Sequence, residues 1–130
     1  MKILKYAIIV SILFFLPVSS FSSLLEYLRI SLIAGDAQIK TDDTEDWVPA
    51  SINTPLREGD RLWVPEEGKV EIQLRDGSLL RLDESTALEI ITVDKDSCQF
   101  YLNEGRTYAN FKEYRGSALQ IDTPASSVQA

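Results

Sequence analysis

From Leu28 onward the apolar residues of this chain recur at every second position, and short turns cut the pattern into pieces. Leu28, Ile30 and Leu32 alternate with Arg29 and Ser31, and Val70, Ile72 and Leu74 alternate with Glu71, Gln73 and Arg75. Leu80 and Leu82 flank Arg81, Leu88 and Ile90 flank Glu89, and Leu119 and Ile121 alternate with Gln120 and Asp122. A period of two sends one face of a strand into a core and leaves the other to water. No later stretch holds a 3.6-residue period, so no long helix is expected after Leu28. Turn signals stand at Gly35-Asp36, Glu58-Gly59-Asp60, Glu66-Glu67-Gly68, Asp76-Gly77-Ser78, Asp94-Lys95-Asp96, Asn103-Glu104-Gly105 and Arg115-Gly116-Ser117. Each glycine there is expected to supply a positive φ. Many short strands at this spacing predict a single all-β domain, β-solenoid-like or sandwich-like.

The sharpest local expectation is the hairpin at Asp76-Gly77. A two-residue turn would pair Leu74 with Leu79 and Ile72 with Arg81. A turn over 76–78 pairs Leu74 with Leu80 and Ile72 with Leu82, and is preferred because it keeps both apolar rows on one face. Residues Thr41 to Asp46 read as a solvated acidic loop, and Pro49 and Pro55 make residues 48–57 irregular or edge-like. Cys98, the single cysteine, is expected to be a small buried hydrophobe.

The N-terminus follows different rules. Lys2 and Lys5 precede an apolar run from Tyr6 to Leu16, then Pro17 and the small residues Ser19, Ser20 and Ser22. This is the layout of a secretory signal helix, with cleavage expected after Ser20 or Ser22. The run is short of the ~20 apolar residues that span a bilayer, so a retained anchor is the lesser alternative. The expected organisation is a signal peptide over 1–22 and one domain over 28–130, with a periplasmic or secreted location.

Composition narrows the function. The chain has 13 Lys+Arg against 20 Asp+Glu, a net charge of -7, and no His. A nucleic-acid backbone is a poor partner for such a surface. Without His the usual general base and the commonest metal ligand are missing, and one Cys allows neither an intrachain disulfide nor a cysteine zinc site. The carboxylate pairs Glu66-Glu67 and Asp83-Glu84 are adjacent in sequence, which on strands sends them to opposite faces. The acids of 42–46 and the pair Asp94 and Asp96 lack a calcium-loop pattern. No catalytic, cofactor-binding or metal-binding residue is therefore assigned, and no enzyme activity is expected.

The aromatics Trp47, Trp63, Tyr101, Tyr108, Phe111 and Tyr114 are expected in the core or at its rim, and a sugar-stacking face is the alternative use. The segment Tyr108 to Tyr114 mixes aromatics with charge. Phe111 and Tyr114 are the candidate partner surface, together with the edge over 119–130.

Several elements, in order, resemble the FecR-type periplasmic domain. They are Trp47-Val48-Pro49-Ala50, Asn53-Thr54-Pro55-Leu56, Glu58-Gly59-Asp60-Arg61-Leu62-Trp63-Val64 and Gly68-Lys69-Val70-Glu71-Ile72-Gln73-Leu74. Asp76-Gly77-Ser78, Leu80-Arg81-Leu82, Glu84-Ser85-Thr86-Ala87-Leu88, Leu102-Asn103-Glu104-Gly105-Arg106 and Ile121-Asp122-Thr123-Pro124-Ala125 follow. The resemblance covers about residues 28–130. It implies an all-β envelope domain that acts as a sensor, relaying the state of an outer-membrane receptor to a cytoplasmic sigma factor. A signal peptide stands here where that architecture has a cytoplasmic segment and a membrane helix. The sequence also stops at Ala130, where such domains continue with a further strand, so the expectation is a short family member, a truncated reading frame or a fragment. An open edge there would allow self-association. The expected role is an exported protein–protein interaction or sensory module with an envelope protein as partner and no cofactor. A carbohydrate- or wall-binding module is the alternative.

Overall fold

The alternating segments form strands. In the computed structural model, which describes residues 28–75, 77–94, 97–112, 118–124 and 127–129, every regular element is a strand. They are β1 (Leu28–Ala34), β2 (Gln38–Lys40), β3 (Val48–Pro49), β4 (Arg61–Val64), β5 (Lys69–Leu74) and β6 (Leu79–Leu82). Then come β7 (Thr86–Val93), β8 (Ser97–Glu104), β9 (Thr107–Asn110), β10 (Ala118–Asp122) and β11 (Ser127–Gln129). The expected signal segment 1–22, the turn residues Asp76, Lys95 and Asp96, the Arg115-Gly116-Ser117 turn and Tyr114 lie outside the described residues. Among those described, no helix is long and apolar enough to cross a membrane.

The strands make two sheets, one in the order β1-β5-β6-β9 and one in the order β11-β10-β8-β7-β4-β2-β3. Leu28, Ile30, Val70, Ile72, Leu80 and Leu82 from the first meet Leu62, Val64, Leu88, Ile90, Phe100 and Leu119 from the second in one core. Each such side chain contributes about 1.5–3 kcal/mol on full burial. The fold is all-β, a single domain, and the sandwich-like of the two expected forms. Pairing is antiparallel except between β8 and β10. Between them β9 crosses to the four-stranded sheet, so β10 returns in the direction of β8. Cys98 is buried in the core as expected.

Four local expectations are corrected. Leu32 is 38% exposed because a bulge between Ile30 and Leu32 shifts the pairing of β1 with β5 and breaks the alternation. The β5–β6 hairpin takes neither expected register: Ile72 pairs with Leu80 and Val70 with Leu82. The turn closes earlier than either scheme, with the Gly77 N–H donating to the Leu74 carbonyl at 3.0 Å and the Leu74 N–H to the Ser78 carbonyl at 2.8 Å. Both apolar rows still share a face, because the shift from the preferred register is by two. In the Glu66–Gly68 turn the positive φ (65°) falls on Glu67. Gly68 serves a close approach instead, since a β-carbon there would lie 3.0 Å from Val64 Cγ1. Finally, neither Trp47 nor Trp63 enters the core. Leu62 and Val64 take the inward positions of β4, which turns Trp63 outward. Trp47 precedes the two-residue edge strand β3 and is 43% exposed.

Candidate functional site

The partner surface expected around Phe111 begins at β9. Among the described residues this strand pairs with β6 alone, with Tyr108 opposite Arg81 and Asn110 opposite Leu79. Tyr108 is 57% exposed. With Glu71, Leu79, Arg81, Ala109 and Asn110 it lines a groove of about 220 Å³ on the outer side of the sheet. The floor is stiffened by a two-donor contact: Arg81 Nε and Nη2 both donate to Glu71 Oε1, at 3.1 and 2.9 Å. The far end of β9 is fixed by Ser78, a buried residue whose Oγ accepts from the Lys112 N–H at 2.8 Å. Phe111 is partly buried and packs against the core, so it belongs to the rim of the fold as well as to this surface.

A second surface surrounds Trp63. Gly35, Asp36, Gln38, Pro65, Glu66 and Glu67 line a cleft of about 410 Å³ with it. Glu84 Oε2 accepts from the Glu67 N–H at 2.8 Å, which holds the acidic turn in place. This grouping went unseen in the sequence, although the period of two over Arg61 to Val64 already placed Trp63 opposite Leu62 and Val64.

Several acidic residues elsewhere have structural partners. In the 41–46 loop, Thr41 Oγ1 donates to Asp43 Oδ1 at 2.7 Å, and this hydrogen bond holds the Asp43 carboxyl below its ordinary value. Asp83 faces Arg106 at 3.8 Å. Among the described residues no group of three or more His, Cys, Asp or Glu could hold a metal ion. Asp60 is the one buried carboxylate among them. Its Oδ2 accepts from the Arg57 N–H at 2.8 Å, closing the 57–60 turn. Burial raises its pKa above 3.8, against the lowering effect of that hydrogen bond. Asp60 thus closes a turn.

The fold and these surfaces define an all-β domain of two sheets, with one aromatic side chain exposed at a sheet edge and another lining a shallow cleft. The family model described as FecR protein matches residues 60–130, more than half of the chain, and the chain belongs to the FecR family. No curated protein and no solved structure matches it. The FecR family is a signal-transduction and sensory family of envelope-associated proteins, and not a family of enzymes. The match begins at Asp60, and two of its strands pair with strands before it, β5 with β1 and β4 with β2.

Proposed function

We propose that this chain is an exported, non-enzymatic interaction or sensory module of the bacterial cell envelope, working in the periplasm or outside the cell. One observation carries the reading: the FecR match over 60–130 includes β9, whose outward face presents Tyr108 beside a groove. Phe111 is proposed as part of this contact surface, and Tyr114, which lies outside the described residues, is proposed with it from the sequence alone. The partner is an envelope protein, and the net charge of -7 disfavours nucleic acid. Residues 1–22 are the proposed export signal. N-terminal sequencing of the protein recovered from expressing cells should begin after Ser20 or Ser22, and an intact Met1 would overturn cleavage. Self-association through the C-terminal edge would use β11, one of the two outer strands of the seven-stranded sheet, and sedimentation across a concentration series tests it.

The deciding experiment is crosslinking in bacterial cells that express the full chain with a C-terminal tag. An unrelated β domain exported by the same signal is the control. Recovery of one receptor or regulator supports the interaction reading. Recovery of nothing above control, or of polysaccharide alone, overturns it.

A carbohydrate-binding role is the second reading, and it rests on Trp47 and Trp63 lying outside the core. Retention on envelope polysaccharide that disappears in Trp47→Ala or Trp63→Ala would favour it.

A further inference from the structure

The four-stranded sheet has two edges, and they are treated differently. On β1 the edge is closed by residues 53–56. The Asn53 N–H donates to the Ile30 carbonyl at 2.7 Å, the Ile30 N–H to the Thr54 carbonyl at 3.0 Å, and the Leu56 N–H to the Leu28 carbonyl at 3.0 Å. On β9, among the described residues, no strand covers the side away from β6. Two bonds fix the phase of that strand. The Asp83 N–H donates to the Arg106 carbonyl at 3.0 Å, and the Lys112 N–H donates to Ser78 Oγ. Residues 106, 108, 110 and 112 therefore turn their backbone groups toward β6, and Thr107 and Ala109 turn theirs outward.

Folded proteins usually blunt such an edge with proline, a bulge, an inward charge or brevity. β3, an edge of the other sheet, is two residues long and contains Pro49. β9 reads Thr-Tyr-Ala-Asn and carries none of these devices apart from its modest length. Its ends are basic. Arg106 and Lys112 bracket it with no carboxylate between them, in a chain of net charge -7. Both are exposed, and Arg106 lies 3.8 Å from Asp83.

This charge pattern selects the occupant. A second copy paired antiparallel about Ala109 would set Arg106 opposite Lys112 at both ends, which is repulsive, and one paired about Tyr108 would set Arg106 opposite Asn110, which gives it no opposite charge. A strand with acidic residues at both ends of an uncharged centre meets each base with an opposite charge. The geometry points to β9 as a strand-addition site for an extended segment of another protein, acidic at both ends, with Tyr108 and its groove reading one side chain of the added strand. This rests on the interaction reading above and names the surface and the partner chemistry.

The test uses protein expressed from the full sequence and recovered after export. Two synthetic peptides share an alternating Thr-Val centre and differ in having Glu or Lys at both ends. Titration into labelled protein should give saturable amide shifts centred on Thr107 and Ala109 with the Glu-ended peptide. The Lys-ended peptide should bind about tenfold more weakly or worse. Ala109→Pro removes an outward N–H at a position where an edge tolerates proline, and should abolish binding with an unchanged melting temperature. A double reversal, Arg106→Glu with Lys112→Glu, leaves the β9 strand sequence intact and should invert the preference between peptides. Absence of saturable binding, equal binding of both peptides, or an unchanged preference in the reversal variant overturns the proposal. An envelope partner captured equally by wild type and Ala109→Pro would leave the interaction reading standing and remove this edge from it.

Discussion

The backbone of Gly105 lies against Thr86 so closely that a β-carbon at 105 would sit 2.5 Å from Thr86 Cα and 2.7 Å from the Ser85 carbonyl oxygen. Gly105 also has a φ of 95°, which residues with a side chain resist. Gly105→Ala therefore meets strain and collision together. It should destabilise the domain by more than about 3 kcal/mol, read as a fall in the urea midpoint at unchanged slope.

Thr86 faces the same turn from beneath and is fully buried. Its Oγ1 accepts from the Arg106 N–H at 3.2 Å, and its own proton has two carbonyls to choose from, Glu84 at 3.1 Å and Arg106 at 3.2 Å. Thr86→Val keeps the shape and removes all of these contacts, at a cost of about 1–3 kcal/mol. Thr86→Ser should recover most of the loss. A loss in Thr86→Ser with none in Thr86→Val would mean that packing of the methyl group, and not the hydroxyl, matters.

Ser78 does for the end of β9 what Thr86 does for the start of it. Ser78→Ala leaves the Lys112 N–H without its acceptor, which should cost about 1–2 kcal/mol. Hydrogen exchange localises the effect: the Lys112 amide should exchange faster while amides of β7 and β8 stay protected.

Asp60 predicts a pH dependence of stability. Burial raises its folded pKa above 3.8, so the folded state holds this proton more tightly than the unfolded chain. Its contribution is full below the unfolded value and is lost as pH rises through the folded one. Asp60→Asn keeps an oxygen for the Arg57 N–H and cannot titrate. The stability of wild type relative to Asp60→Asn should therefore fall as pH rises above the ordinary carboxylate value and level off once the folded pKa is passed, measured by urea unfolding. A relative stability that rises with pH would show that the Arg57 hydrogen bond outweighs burial.

Phe111 and Tyr108 should separate folding from contact. Phe111 packs on the core, and Phe111→Ala should cost about 1–3 kcal/mol in stability. Tyr108 is exposed, and Tyr108→Ala should stay within about 0.5 kcal/mol of wild type. A matching loss from both would place Tyr108 in the folded core and remove it as a contact residue.

The strands were legible because alternation is a one-dimensional property. Val70, Ile72, Leu80, Leu82, Leu88, Ile90, Leu119 and Ile121 were all read as inward from their spacing, and all are buried. The same rule would have placed Trp63 outside, had its neighbours been weighed above its size. The proline edge at Pro49 was readable because a residue without an N–H suits only the rim of a sheet.

What belonged to the tertiary structure was everything that depends on distance along the chain. The register of Ile72 on Leu80 was set by where the Leu74–Ser78 turn closes. The pairing of β1 with β5, and the parallel return of β10 to β8, join segments that no local pattern links. Asp60 and Ser78 stand in expected turns and Thr86 in the Glu84–Leu88 segment, and each is buried where the folded backbone supplies its partner. The sequence by itself determined which face of each strand is apolar, since a side chain's solubility travels with it. Only the fold decided which edges are covered and which polar groups are enclosed, since a hydrogen-bond partner exists only once two distant segments have met.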